Sequence, residues 1–213
     1  MSETNTFNER PVFIAIVGAS CSGKTALAHN IAKRFGSHQV NVIAEDAYYN
    51  RQDHLTMDER VVANYDHPNA FDHRLLCEHI DQLRQGQLVD CPTYDYVNHN
   101  RAGKTVRVDS TPVVIVEGIL LYHMKALRDL FSLKLFIDTP LDICLARRVE
   151  RDVNERGRTI GSVLAQYQKT VRPMFQEFIE PSKFYADLIV PMGGRNPIAL
   201  DVLDSKIRQL VVD

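Results

Sequence analysis

Long hydrophobic runs, paired cysteines and net charge are all scarce in this chain of 213 residues. Its longest apolar stretches have only the length of a β-strand, and the opening residues MSETNTFNER contain no apolar segment. The sequence therefore predicts neither a signal peptide nor a membrane span, and points to a cytoplasmic protein with no membrane partner. The four cysteines, Cys21, Cys77, Cys91 and Cys144, form no C-x-x-C pair and read as reduced thiols rather than a disulfide frame or zinc site. A formal net charge of −2 argues against a general nucleic-acid binder. Internal repeats, low-complexity tracts and linkers are absent too, and the length suits one domain burying about 70% of its unfolded surface.

What the chain does have is alternation. VFIAIV, VNVIAE, PVVIVEG, LKLFID and ADLIVP read as short buried strands, while KTALAHNIAKRFG, FDHRLLCEHIDQLRQG and PIALDVLDSKIRQLVV carry apolar residues at helical spacing. This order predicts an α/β fold, a parallel sheet with helices on both faces. In such sheets ligands sit beyond the carboxyl ends of the strands, so the residues just after each strand are the informative ones. Residues 88–109, LVDCPTYDYVNHNRAGKTVRVD, break the pattern and read as a small antiparallel β-hairpin beside the sheet. Residues 1–10 are expected to form a short disordered tail.

The first strand runs into the loop Gly18, Ala19, Ser20, Cys21, Ser22, Gly23, Lys24, Thr25, which matches G-x-x-x-x-G-K-[ST] and makes the expected sheet one of P-loop NTPase type. Glycines there let backbone N–H groups turn inward around phosphate oxygens, and the helix that follows adds its positive end. Lys24 is placed to reach the outer phosphates and the Thr25 hydroxyl to hold Mg²⁺, so the expected ligand is a nucleoside triphosphate.

Two carboxylates close strands near that loop. Asp46 follows VNVIAE, where it can take the proton of an attacking hydroxyl or hold Mg²⁺ through water; it can equally be a loop Asp capping its own turn. Glu117 ends VVIVE, where P-loop enzymes keep an acidic residue for the metal. Further on, residues 147–158 read RRVERDVNERGR, with five arginines and no lysine. Forked guanidinium donors suit phosphate, and Gly157 offers a hinge, so residues 147–160 are expected to form an arginine-rich lid over a transferring phosphoryl group. The competing reading is a helix surface with pairs Arg148–Asp152 and Arg151–Glu155 at i,i+4 spacing.

No N-K-x-D guanine reader and no L-S-G-G-Q segment is present, which disfavours a switch GTPase or a transporter ATPase. The segments GASCSGKT, EDAYY, NYDHPNAFDH, PTYDYVNH, VEGIL, RRVERDVNERGR, QYQKTVRPMF and YADLIVP occur in the order and approximate spacing of the uridine kinase (uridine–cytidine kinase) family, which the chain resembles from about Phe13 onward. The resemblance implies transfer of a phosphoryl group from ATP or GTP, with Mg²⁺, to the 5′-hydroxyl of uridine and cytidine in pyrimidine salvage, by a homotetramer. It implies that Asp46 is the base, with Lys24 and Arg151 also catalytic and Tyr49 beside the nucleoside. Asp66 of YDHP would hold the ribose hydroxyls, with Tyr65 near the sugar or base. In the hairpin, Tyr94 and His99 would recognise the pyrimidine and Tyr96 would be an aromatic wall. Arg148, Arg158 and Gln166 align with substrate contacts, Arg151 and Arg156 with residues near the triphosphate, and Thr25, Glu117 and Asp46 with the metal side.

One departure lies in PMGGRN, where Arg195 stands in place of an acidic residue that some relatives keep near the adenine; this leaves ATP against GTP open. Other small-metabolite P-loop kinases, of phosphoribulokinase or nicotinamide riboside kinase type, share the loop and the base and differ in the acceptor pocket. A non-catalytic nucleotide-binding regulator is the reading from a different class, and Asp46 together with the arginine segment speaks against it.

Overall fold

A computed structural model describes residues 11–212, so the expected disordered tail 1–10 lies outside the described residues. Five parallel strands form the central sheet in the order β2 (Val40–Ala44), β5 (Val113–Gly118), β1 (Val12–Gly18), β6 (Leu133–Asp138), β7 (Leu188–Pro191). β1 is central because its run is apolar on both faces. Phe13, Ala15 and Val17 join one core layer with Leu76, Ile80 and Leu83 of α3 (His73–Arg84). Ile14 and Ile16 join the opposite layer with Leu27 and Ile31 of α1 (Lys24–Phe35) and with Leu203 and Ile207 of the C-terminal helix Pro197–Val212. Period-two alternation along one strand thus feeds two cores, the pattern that helices on both faces require.

The chain leaves β1 for β2 on one side of the sheet and later crosses to β6 on the other, so the loop after β1 lies where the winding direction switches. Helix signals are local and legible: Asp72 accepts from Leu75 N at the start of α3, and Thr56 with Glu59 forms a reciprocal capping box for α2 (Met57–Val62). The expected hairpin is β3 (Val89–Asp95) and β4 (Asn100–Val108), antiparallel, with a register shift between Pro92 and Tyr94. Asp95 Oδ1 accepts from the backbone N–H of Val97 and Asn98 at 2.9 and 3.1 Å and shapes its tip. Arg101 Nε donates to the Tyr49 carbonyl at 2.9 Å, which straps the hairpin to the segment after β2.

The arginine segment lies mostly on α5 (Leu141–Asn154); Gly157, at φ +63°, makes the turn into α6 (Ile160–Gln166). The same rod then continues through π-helical turns at Tyr167–Val171 and Phe175–Ile179.

Candidate active site

The loop after β1 wraps tightly. Gly23 opens α1 at φ +105°, and a Cβ on Gly18 would sit 2.6 Å from the Ile137 carbonyl oxygen. Lys24 is buried, with Nζ donating to the Ala19 carbonyl at 2.9 Å, so its ammonium is folded back over the loop's hollow. Thr139 Oγ1 donates to the Ser22 carbonyl at 2.9 Å, and Arg147 Nη1 lies 3.4 Å from that of Cys21, whose φ is +63°. The carbonyls of Cys21 and Ser22 are thereby turned outward to side-chain donors. The chain also braces the loop from far away: a Cβ on Gly193 would lie 2.6 Å from the Ser22 carbonyl oxygen, and one on Gly194 2.7 Å from Leu27 N. The backbone of Arg195 belongs to that same turn, while its side chain is outside the described atoms.

Beyond the strand ends stand the carboxylates. Thr25 Oγ1 donates to Glu117 Oε1 at 2.9 Å. Burial pushes the Glu117 carboxyl above its ordinary pKa, with Lys24 opposing and Asp46 reinforcing the shift. Thr25, Glu117 and Asp46 offer only hard oxygen donors, a set that fits Mg²⁺ sharing its shell with phosphate and water. Among the described residues no group of three His, Cys, Asp or Glu side chains is close enough to enclose a metal by itself.

Glu45, next to the expected base, belongs to no motif of its own in the sequence. It is wholly buried, with Oε1 2.7 Å from His73 Nε2 and Oε2 accepting from Ile119 N and Leu120 N at 2.6 and 2.9 Å. It thus ties the end of β2 to the end of β5 and sets Asp46 beside Glu117. The Glu of EDAYY followed by a His in FDH is the only sequence trace of this bond.

The acceptor side is an aromatic box. Tyr49 stacks on Phe71 (4.3 Å between centroids) and meets Tyr94 at 4.8 Å, Tyr65 stacks on His99 at 5.8 Å, and Tyr96 packs edge-on to Tyr94 at 5.1 Å. Tyr65 is anchored through its hydroxyl to Gln52 Oε1 at 2.9 Å. His99 adopts φ +48° at the hairpin tip, and burial with the Arg158 and Arg156 cations holds its imidazole pKa low, favouring the neutral ring. Asp66 is buried at the floor. Among the described residues its carboxylate accepts no hydrogen bond, and burial raises its pKa while Arg148 pulls the other way. Facing the cleft without a protein donor, that carboxylate is free to accept hydrogen bonds from a ligand.

Arg148 joins the two halves, donating to Ser20 Oγ of the glycine loop at 3.0 Å and to Gln166 Oε1 at 3.1 Å, which Arg158 also contacts. Of the i,i+4 pairs considered from the sequence, Arg148–Asp152 is present at 3.7 Å, but Arg151 turns to Asp152 at 2.8 Å rather than to Glu155. The reason is burial: Asp152 is fully enclosed, and four arginines converge on it.

One cleft of about 210 Å³ collects these groups. Its walls include Lys24, Thr25, Asp46 and Glu117 on one side and Asp66, Tyr94 and His99 on the other. Tyr49, Tyr65, Tyr96, Arg148, Arg151, Arg156, Arg158 and Gln166 line it as well, with Ser20 and Cys21, so each expected acceptor, base and metal-side residue reaches the same space. Gly18, Ala19, Ser22 and Gly23 shape the loop behind it.

A parallel sheet switching direction at a G-x-x-x-x-G-K-T loop, with carboxylates at neighbouring strand ends, defines a P-loop kinase fold. The fold is shared with the phosphoribulokinase of Rhodobacter spheroides, a structure at TM-score 0.62 and 15% identity covering 85% of this chain and 70% of that one. The chain belongs to the phosphoribulokinase / uridine kinase family, whose model matches residues 13–199. It is similar to the uridine kinase of Erwinia tasmaniensis, 56% identical over 202 residues (93% of this chain, 95% of that protein), and to that of Tolumonas auensis, 55% identical over the full length of both.

Proposed function

We propose that this protein is a pyrimidine ribonucleoside kinase, transferring the γ-phosphoryl group of ATP to the 5′-hydroxyl of uridine and cytidine to give UMP and CMP. The observation that carries the reading is one cleft in which Asp46 stands between a phosphate loop and an aromatic box with a buried, unpartnered Asp66 on its floor. Sequence identity above half with curated uridine kinases, over nearly the whole chain, supports the same conclusion.

The work of each group follows from its chemistry. Backbone N–H groups of residues 18–25 and Lys24 hold the outer phosphates, while Arg151 and Arg156 neutralise charge growing on the transferring group. Asp46 accepts the proton of the 5′-hydroxyl as that oxygen bonds to the γ-phosphorus and the bond from the γ-phosphorus to the β–γ bridging oxygen breaks; ADP departs, and the proton stays on the Asp46 carboxyl until solvent takes it. Asp66 accepts both hydrogens of the ribose cis-diol. The ring stacks between Tyr49 and the hairpin, and Tyr94 with His99 reads its edge. A neutral His99 has both a donor and an acceptor, which matches O4 of uridine and the N4 amine of cytidine alike. Thr25, Glu117 and Asp46 would hold Mg²⁺, which would supply neutralisation of phosphate charge. The family resemblance also supports GTP as an alternative donor, a homotetramer and a cytoplasmic place in pyrimidine salvage. Among the described residues no helix is long and apolar enough to cross a membrane.

The test is a coupled ADP-release assay over a nucleoside panel, with nicotinamide riboside and ribulose 5-phosphate included. Uridine and cytidine should react, and adenosine and guanosine should be excluded by their second ring. Deoxyuridine should lose roughly tenfold or more in kcat/KM, since an unsatisfied buried acceptor costs about 1–3 kcal/mol. Asp46→Asn should lower kcat and leave uridine affinity, by calorimetry, nearly unchanged. Efficient use of adenosine, or of deoxyuridine as well as uridine, overturns the pocket assignment.

A further inference from the structure

Asp152 is fully buried beside the cleft, yet it contributes nothing to the cleft wall. Around its carboxylate lie four guanidinium groups from positions i−4, i−1, i+4 and i+6. Arg151 grips Oδ1 side-on, Nε at 2.9 Å and Nη2 at 2.8 Å, while Arg156 Nη1 reaches the same oxygen at 3.5 Å. Oδ2 faces Arg148 Nε at 3.7 Å and Arg158 Nη1 at 3.6 Å. The Arg158 backbone N–H donates to the Asp152 carbonyl at 3.0 Å, which closes the Gly157 turn so that Arg156 and Arg158 return to the hub. Four guanidinium groups crowd one buried carboxylate, and although Asp46 and Asp66 also act on Arg151 and Arg148, Asp152 is the anion within 4 Å of all four.

The side-on grip has a directional consequence. It uses the Nε–Nη2 edge of Arg151, so Nη1, which makes no hydrogen bond among the described residues, is the edge left for the cleft that Arg151 lines. A guanidinium is planar, and fixing one edge fixes the direction of the other. Arg156 lies between Asp152, 3.5 Å from its Nη1, and the face of Tyr96, with its Cζ 4.0 Å from the ring centroid.

We infer that Asp152 is a positioning residue: without touching either substrate, its buried carboxylate holds Arg151 and Arg156 in the orientation in which they meet the transferring phosphoryl group. The inference rests on the kinase reading above and goes further, because it assigns the order of the arginine cluster to one acid outside the cleft. Preorganised donors stabilise a transition state because no reorganisation is left to the moment of reaction; losing the organiser should therefore cost turnover more than ground-state anion binding.

Asp152→Asn keeps the shape and removes the charge. Turnover with ATP and uridine, expressed per folded molecule from far-ultraviolet circular dichroism, should fall more than fivefold. Affinity for inorganic tripolyphosphate, measured by calorimetry, should weaken by no more than twofold, since the variant carries one negative charge fewer beside the phosphates. A merely structural role cannot separate these readouts. Turnover within fivefold of wild type overturns the assignment, and so does a parallel loss of turnover and tripolyphosphate binding. If the Asn variant does not fold, Asp152→Glu restores the charge with its oxygens displaced by one carbon; there too turnover should drop more than fivefold with tripolyphosphate affinity kept, and wild-type turnover overturns the inference. Failure of both variants to fold makes Asp152 a residue of the fold and equally overturns it. Wild-type protein that makes no UMP refutes the substrate reading instead, which keeps the two failures apart.

Discussion

The Tyr96 hydroxyl donates a hydrogen bond to Asp46 Oδ2 at 2.7 Å, so the side chain expected only as an aromatic wall also orients the proposed base. A carboxylate has acceptor capacity to spare, and Oδ1 stays free for an incoming hydroxyl. Tyr96→Phe keeps the ring and its stacking under Arg156 but lets Asp46 rotate. The expected outcome in steady-state kinetics is a kcat about tenfold lower, in line with a hydrogen bond to a charged group worth about 1.5–3 kcal/mol, and a uridine KM within about threefold. An unchanged kcat would return Tyr96 to the role of a wall.

Lys24→Ala should leave a folded protein, because Lys24 contributes one bond to a carbonyl at a helix start, and should cut kcat by about 10²–10³. Circular dichroism checks the first half and the ADP-release assay the second. A variant retaining more than about a tenth of wild-type turnover contradicts the assignment of Lys24 to the phosphoryl group.

Gly118→Ala places a methyl 2.1 Å from Glu45 Oε2 and 2.4 Å from Glu45 Cβ, in a spot with no room to relax. The buried carboxylate would have to give up the backbone N–H groups of Ile119 and Leu120. Overpacking of this kind costs about 2 kcal/mol or more, which for a chain of this size lowers Tm by roughly 4–8 °C. Differential scanning calorimetry decides, and an unchanged Tm would show that Glu45 has another place to go.

His79 links stability to pH. It is buried with Nδ1 2.9 Å from the Tyr48 hydroxyl, and burial holds its pKa below the ordinary 6.5. The unfolded chain therefore binds the proton more readily than the folded one. The stabilisation is complete above pH 6.5 and is lost as pH falls through the interval below it. Asp66 and Glu117, raised by burial, act in the opposite sense at lower pH, so the comparison that isolates His79 is with His79→Gln, which keeps an acceptor and cannot titrate. Between pH 7.5 and 5.5 wild type should lose several degrees more of Tm than the variant; equal losses would remove His79 from the account.

Much of this was legible in the sequence because it is local. The glycine loop, the strand-end carboxylates Asp46 and Glu117 and the hairpin all announce themselves within a few residues. Tyr49, Tyr65, Asp66 and Tyr94 had no such signal: YDHP passes for an ordinary turn and YDYVNH for an amphipathic strand, so their grouping was available only from family likeness. Glu45 with His73 and Gly118, and Gly193 against Ser22, remained hidden because each is a contact between distant parts of the chain, where the residue types alone have several equally good local explanations. Asp152 was in plain view inside RRVERDVNERGR, but local spacing offered it a surface pairing with Arg148, and only the packing of α5 against α6 removes it from water.

The glycine pair at Gly193 and Gly194 makes the phosphate loop answerable to the far edge of the sheet. The backbone that presses on Ser22 and Leu27 lies some 170 residues further along the chain, in the turn just past β7. The shape of the nucleotide loop is therefore tied to the outermost strand on that side, and whatever loosens that edge loosens the loop as well, although it touches no ligand.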